Sequence, residues 1–533
     1  MTKLKESTLW LVLFALAALL RLGPIASGLP YIDYVDEGHI LHPAIGILKA
    51  RSFDSSIYTY PPLTSYLVVA ALKGYAPLYR MVHKRELRDD LPSDQELKTS
   101  LGDHYDLISP PEIIWLGRLV IACLSIGTVL LAGALAKLLG GPRAGLMAML
   151  FTALCPALVS RGSNLALDPT GAFFVMAALY FCQRLRLVAA AVNNAAMWRN
   201  AAFAAISSGL AFGAKFTAGA VFVAVLVTIV TIPVAWKSRA ILTLIAGTGL
   251  FIGVFCGVPA AVLHPEKILG ELRYITTFYQ TIQSEQNYWR AAFSAAEIGV
   301  PLMIAGLAGI IWMLWNGATR KVALSWIAFS ILLLSGFITS SFQPFRNLVP
   351  LVPPLCIAAA LFSVWLSECC KRQVHRPRLA SSFLTALGLV IALSLAWSSG
   401  RHLQWRMHRI DTRVRAIDWL QQHATKDQTV LGIRELAILP TEWKRLAAKA
   451  TIVPWFEAAD LLERQRFDYI VTGEFDLRYA PDPNAWSVYR DRWNAKISPR
   501  QAEASFGEVV TPVVPYLWRT NDERILILRG DAQ

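Results

Sequence analysis

Two adjacent carboxylates, Asp36 and Glu37, lie in an otherwise apolar and aromatic stretch just after the first hydrophobic segment. Carboxylates beside a membrane surface are costly unless water, a partner or a task holds them there. A positioned carboxylate takes a proton from a hydroxyl as that oxygen attacks, which is general-base chemistry. Farther along the chain, Asp168 opens a hydrophobic segment and Lys215 sits between two of them. Arg346 opens another, Arg118 lies inside a segment near its end, and Arg161 follows one closely. Cations so placed suit an anion such as a phosphate. Each residue also has a purely structural account. Asp36, or Asp33, would cap the short helix ending near Ala50. Asp168 would cap a helix with Pro169 at its first position, and Lys215 would reach for the interface. His39 and His42 share a helix face beside Asp36, and His264 lies in a distant loop, so these three are weak candidates for a divalent metal.

These residues are carried on a chain that is 55% hydrophobic and 17% charged over 533 residues, with mean hydropathy +0.44. Soluble domains carry about a quarter charged residues, so the composition is that of a membrane protein. Spans are expected at Thr8–Leu29, Ile113–Leu138, Ala144–Val159, Pro169–Cys182, Ala201–Ala214, Phe216–Trp236, Ala240–Val262, Ile298–Trp315, Val322–Ser340, Leu348–Leu366 and Leu379–Trp397. That makes an α-helical polytopic protein of about eleven transmembrane helices. The first span lacks a convincing small-residue cleavage site and reads as uncleaved.

The net charge of +14 resides largely in short loops and in the tail, which argues against nucleic acid as a partner. Lys137–Arg143, Arg184–Arg199, Lys237–Arg239, Arg320–Lys321 and Lys371–Arg378 are short and basic, as cytoplasmic loops are. The acids then gather outside, and an odd number of spans puts the C-terminal tail there as well. Two outer loops are long. One, residues 30–112, holds an aromatic-proline corner (Tyr58, Tyr60, Pro61, Pro62), a helix from Pro62 to Leu78 lying in the interface, and a charged insertion, Arg80–Asp106. The other, residues 263–290, is also expected along the membrane.

Residues 1–400 thus form a membrane domain and residues 401–533 a small soluble α/β domain. In the tail, strands are expected at Gln428–Ile433, Thr451–Pro454, Phe467–Thr472 and Arg524–Leu528. Helices are expected over Arg401–His423, Thr441–Ala450 and Glu457–Gln465. No glycine-rich phosphate loop follows the first strand. The seven cysteines all lie before the tail, so the tail has neither a disulfide framework nor a cysteine metal site.

The order of these signals resembles the multispan C-type glycosyltransferases of the bacterial aminoarabinose-transferase and protein O-mannosyltransferase group. Asp36-Glu37 matches their acidic pair, and Tyr60-Pro61-Pro62-Leu63 the corner before an interfacial helix. Leu167-Asp168-Pro169 matches an aspartate at the fourth span, and Gly209–Thr217 a glycine-rich turn with lysine. Arg346–Pro353 matches a basic residue ahead of a Leu-Pro-rich span. The resemblance covers roughly residues 8–400, and an α/β tail is common in the group. Two departures stand out: the aminoarabinose enzymes carry Glu-Lys before the corner proline, and the Arg80–Asp106 insertion is unusual.

The resemblance implies a polyprenyl-phosphate-linked sugar as donor and a lipid, glycan or protein acceptor on the outer face of the inner membrane. Asp36 would be the base, with Glu37 orienting the loop or the donor sugar, and transfer would invert the anomeric carbon. Lys215 and Arg346, with Arg118 and Arg161 nearby, would hold the phosphate. Asp168 would hold the acceptor or brace the first loop. A transporter or flippase for a lipid-linked or anionic substrate is the rival reading, although no internal repeat of the kind common in transporters is evident. A scaffold whose tail does the work leaves the bundle's charges unexplained.

Overall fold

The computed structural model describes residues 3–32, 34, 36–50, 52–55, 58–91, 110–191, 193–281, 287–336, 343–373, 377–408, 410–436, 438–473, 493, 496, 500, 502–506 and 525–530. Asp33, most of the charged insertion (residues 92–106) and the middle of the loop 371–378 lie outside them. The chain divides into two compact units. One comprises Met1–Ile25, Pro43–Val82 and Trp115–Met407, the other Ala26–His42, His83–Ile114 and His408–Gln533.

The first unit is a helical bundle. Its elements in chain order are α1 (Lys3–Leu22), most of α2 (Asp36–Ala50), α3 (Leu63–His83), α4 (Pro111–Leu154), α5 (Pro156–Arg161), α6 (Leu167–Ala190), α7 (Asn194–Ala214), α8 (Phe222–Thr231) and α9 (Trp236–Gly257). There follow α10 (Pro265–Thr281), α11 (Tyr288–Phe293), α12 (Val300–Trp315), α13 (Arg320–Ser335), α14 (Val352–Gln373) and α15 (Pro377–His408).

By length and composition, five helices among the described residues are apolar enough to cross a membrane: Lys5–Ala26, Pro111–Leu154, Leu167–Ala190, Trp236–Gly257 and Phe345–Cys369. Phe216–Thr231 and Val300–Trp315 are apolar but shorter. The expected second and third spans are the two arms of α4, which turns at Gly141 (φ 81°) ahead of Pro142. Glycine alone takes that backbone angle without strain. The expected sixth span is shorter than read. It begins as a 3-10 helix, Phe216–Val221, and ends at Thr231, because Pro233 follows closely.

Small residues bring the middle helices together. A Cβ on Gly209 would lie 2.5 Å from the Leu250 carbonyl oxygen, and one on Gly253 2.3 Å from that of Ile206. A Cβ on Gly213 would lie 2.5 Å from the Gly257 Cα. Backbone therefore meets backbone between α7 and α9, the usual means of joining helices in lipid. Helix α3, expected to lie in the interface, is one-sided: Leu63, Val68, Val69, Leu72 and Tyr79 are buried, whereas Leu78, Met81 and Val82 are exposed.

The second unit contains a five-stranded sheet of β1 (Thr429–Ile433), β2 (Lys449–Val453), β3 (Tyr469–Gly473), β4 (Ala502–Phe506) and β5 (Ile525–Arg529), in the order β2-β1-β3-β5-β4. β1 runs parallel to β2 and β3, while β5 is antiparallel to β3 and β4. Helices α16 (Thr412–His423) and α17 (Trp455–Arg464) accompany it. Four strands fall where expected. β4 was not expected, since Ala502–Phe506 mixes charge and small residues at a sheet edge. The expected helix Thr441–Ala450 is a single turn, Pro440–Trp443, because Lys449 and Ala450 pair into β2. The expected helical run Arg401–His423 is split: α15 extends to His408, and Asp411 caps a separate α16.

Candidate functional site

In the bundle, Asp168 does not cap α6. Ala166 holds the cap position without a side-chain bond, and Asp168 is the helix's second residue. Its buried carboxylate instead accepts a 2.5 Å bond from Lys215 Nζ. Lys215 ends α7 in an extended conformation, with its ammonium turned inward rather than toward an interface. The same nitrogen donates to Asn347 Oδ1 at 3.0 Å and to the Arg346 carbonyl at 3.4 Å. An ammonium has three donors, and three oxygens meet them. A phosphate oxygen reaching Lys215 must therefore displace one, and the Arg346 carbonyl is the longest bond of the three.

Asn347 extends the network. Its Nδ2 donates to the hydroxyls of Tyr288 at 3.1 Å and Tyr279 at 3.4 Å. Burial pushes the Tyr288 phenol up to about 12, although the bond from Asn347 acts the other way. The hydroxyl therefore remains protonated at neutral pH. Arg346 lies in the 3-10 helix Phe345–Leu351 beside Asn347 and is half-buried. Asp168, Lys215, Arg346, Asn347, Tyr279 and Tyr288 thus converge from five segments. Asn347 and the two tyrosines escaped the sequence reading because a polar neutral side chain gives no charge signal.

The two other cations are committed elsewhere. Arg161 grips Glu297 through both terminal nitrogens, at 2.6 and 2.8 Å, and its guanidinium lies 5.4 Å from the centroid of the Phe345 ring. Arg118 is fully buried and donates to the Ile25 carbonyl at 3.0 Å. Two further arginines carry no signal beyond their positions. Arg21 donates to Ser125 Oγ at 2.7 Å and to the carbonyls of Thr152 and Ala153. Arg406 donates to Ser163 Oγ at 2.9 Å and to Asn164, fixing the loop just ahead of Asp168.

The aromatic-proline corner packs on the segment that follows α9. Tyr58 is buried with Val258, Ala260 and Ile268, and its hydroxyl donates to Asp54 Oδ1 at 2.5 Å. Burial and that bond hold the Tyr58 phenol well above its usual range. Thr59 Oγ1 donates to Glu271 Oε2 at 2.7 Å, Tyr60 is half-buried, and Pro61 and Pro62 are buried.

In the other unit, Asp36 and Glu37 are the first two residues of α2, and both are buried. Both therefore stand at the positive end of the helix dipole. His39 is half-buried and His42 buried, while His264 is exposed with Nδ1 3.5 Å from Glu266. Among the described residues, no three His, Cys, Asp or Glu side chains are grouped to hold a metal ion.

The chain is similar to known proteins in sequence over one stretch and in fold over most of its length. Residues 110–264, which carry Asp168 and Lys215, match the family model of the dolichyl-phosphate-mannose-protein mannosyltransferases. The fold is similar to that of ArnT from Cupriavidus metallidurans in the apo state, at 14% identity over 98% of each chain and a TM-score of 0.53. It is similar to the same protein bound to undecaprenyl phosphate, at 15% identity over 97% of this chain and 98% of that one, with a TM-score of 0.54. The oligosaccharyltransferase of Archaeoglobus fulgidus in the apo form matches at 12% identity over 99% of this chain and 76% of its own, with a TM-score of 0.53. No curated protein sequence matches. The chain shares its fold with these proteins.

Proposed function

We propose that this chain is a membrane glycosyltransferase that moves a sugar from a polyprenyl-phosphate donor to an acceptor hydroxyl. The observation that carries the reading is the buried Asp168–Lys215–Asn347 cluster, whose charged members lie within the stretch matching the mannosyltransferase family. Among the proteins similar in fold, ArnT from Cupriavidus metallidurans binds undecaprenyl phosphate.

In the proposed reaction, the acceptor oxygen attacks the anomeric carbon as the bond from that carbon to the phosphate oxygen breaks. Asp36 takes the acceptor's proton, and the phosphate leaves with the bonding pair. Lys215 and Arg346 stabilise its growing charge, and Asp168 keeps the ammonium aimed. One displacement inverts the anomeric configuration. Glu37 orients the loop or the donor sugar. The basic loops support placing the N-terminus in the cytoplasm and the tail outside the inner membrane. A reporter active only outside the cytoplasm, fused after Gln533, gives signal on this topology and silence on the opposite one.

Asp36→Asn tests the chemistry. It keeps the side chain's shape but not its basicity, so transfer from a synthetic polyprenyl-phosphate donor falls about 10²- to 10⁴-fold. Thermal unfolding of the purified protein stays close to the parental profile. A stable variant that transfers at the parental rate removes Asp36 from the reaction.

A further inference from the structure

An open groove of about 910 Å³ runs between the end of α8 and one face of α9, far from the cluster around Lys215. Its walls include Ile229, Val230, Trp236 and Phe251, its floor Gly247, and its one charged lining residue is Arg239. A Cβ on Gly247 would meet nothing within 4 Å, so the floor is low because the side chain is missing and not because another helix fills the space. Trp236, Leu244 and Phe251 are well exposed along this face. In a membrane protein such a face meets acyl chains.

The charged groups at one end define which lipid. Arg186 donates to the hydroxyls of Thr228 and Thr231 and to the Lys321 carbonyl. Lys321 donates to the Thr231 carbonyl, the last of α8. Both are therefore spent on the helix end. Arg239 gives one terminal nitrogen to the Ile232 carbonyl at 3.1 Å, while its buried Nε has no protein partner. Lys237 is exposed next to it, at the start of α9, where Ala235 provides no side-chain cap. Helix N-termini attract anions, and here an arginine stands at the mouth of an apolar channel.

Lengths agree with a lipid bound head-first at Arg239. From Arg239 to Phe251 α9 rises about 18 Å, close to one leaflet's roughly 15 Å of hydrocarbon. Phe216–Thr231 separates Lys215 from this end by about 27 Å along the helix axis. A phosphate held at Arg239 is therefore not one held at Lys215. We infer that the groove between α8 and α9 is a binding site for an anionic glycerophospholipid, with Arg239 and Lys237 on the phosphate and an acyl chain over Gly247. The site does not depend on the transfer reaction.

The full chain, reconstituted in nanodiscs of equal phosphatidylglycerol and phosphatidylethanolamine and examined by native mass spectrometry, tests the inference. The parental protein retains phosphatidylglycerol over phosphatidylethanolamine by about fivefold, the worth of one basic contact at a membrane surface. Arg239→Gln loses that preference, and Gly247→Phe, which fills the channel, lowers retention of both lipids. Loosely held boundary lipid alone would show no headgroup preference in the parent, and that result overturns the site. A preference that survives Arg239→Gln overturns it too. Parental retention by a folded Gly247→Phe protein places the lipid elsewhere. If Gly247→Phe lowers the melting temperature in lipid-free detergent, Arg239→Gln alone decides.

Discussion

Two buried ion pairs, one in each unit, look alike as pairs and differ in how they are built. In the tail, Asp411 accepts bonds from the Arg413 backbone N–H at 2.8 Å, from Arg413 Nε at 2.9 Å and from Nη2 at 2.9 Å. The guanidinium lies 3.8 Å from the centroid of the Tyr31 ring, and the Tyr31 hydroxyl accepts from the Leu439 N–H at 3.3 Å. The partners are two residues apart, and the aspartate is the cap that starts α16. Local structure accounts for all of it. In the bundle, Asp168 and Lys215 are 47 residues apart, neither side chain caps the helix beside it, and the ammonium's other bonds go to Arg346 and Asn347 on a third segment. A cap needs no lysine from another helix. Burying that pair costs several kcal/mol of lost hydration. The cost is understandable where an anion must later be received.

Neutralising each pair should separate the two cases. Removing one partner alone strands a buried charge at about 3–5 kcal/mol, so the informative variants remove both charges. Asp168→Asn with Lys215→Gln keeps the bundle folded but lowers sugar transfer about 10²-fold or more. Parental turnover in that double variant would make the bundle pair structural, like the tail's. Asp411→Asn with Arg413→Gln does the reverse, costing the tail about 2 kcal/mol in thermal unfolding while transfer per folded molecule is unchanged. A tail variant that stays folded yet stops transferring would erase the contrast.

A smaller effect is expected at Arg161, whose sequence position suggests a phosphate ligand. Because both terminal nitrogens hold Glu297, Arg161→Gln should lower stability by about 1.5–3 kcal/mol and leave the KM for the donor within twofold. A donor KM raised tenfold would return Arg161 to the phosphate site. The smallest change is expected from Thr59→Val, which removes one bond to Glu271 and costs about 1 kcal/mol. Stability unchanged by that substitution would mean that the corner is held by Tyr58 and its apolar neighbours alone.

Much of the fold was legible because lipid imposes length and apolarity, and because basic loops punctuate the apolar runs. Span ends were less so. Gly141 and Pro233 break helices through backbone conformation, which a hydropathy pattern does not register. In the tail, short apolar runs marked the other four strands, whereas β4, at a sheet edge with Glu503 on it, had no apolar face to show. Within the candidate site, charge betrayed Asp168, Lys215 and Arg346. Asn347, Tyr279 and Tyr288 were hidden among many neutral polar residues, and Glu297 among ordinary loop acids. That Lys215 points inward, and that Arg161 is already occupied, depends on which segments meet, and spacing along the chain carries no record of that.

The glycine contact between α7 and α9 bears on how the protein is made. Helices in lipid associate through close fit and not through expulsion of water. Every group in this contact lies between Ala202 and Gly257. The contact is therefore chemically complete when less than half of the chain has been synthesised, and it involves Gly213, two residues before Lys215. A helix pair already closed at that stage sets the end of α7, and with it the lysine, before Arg346 and Asn347 leave the ribosome, so later segments are built around it.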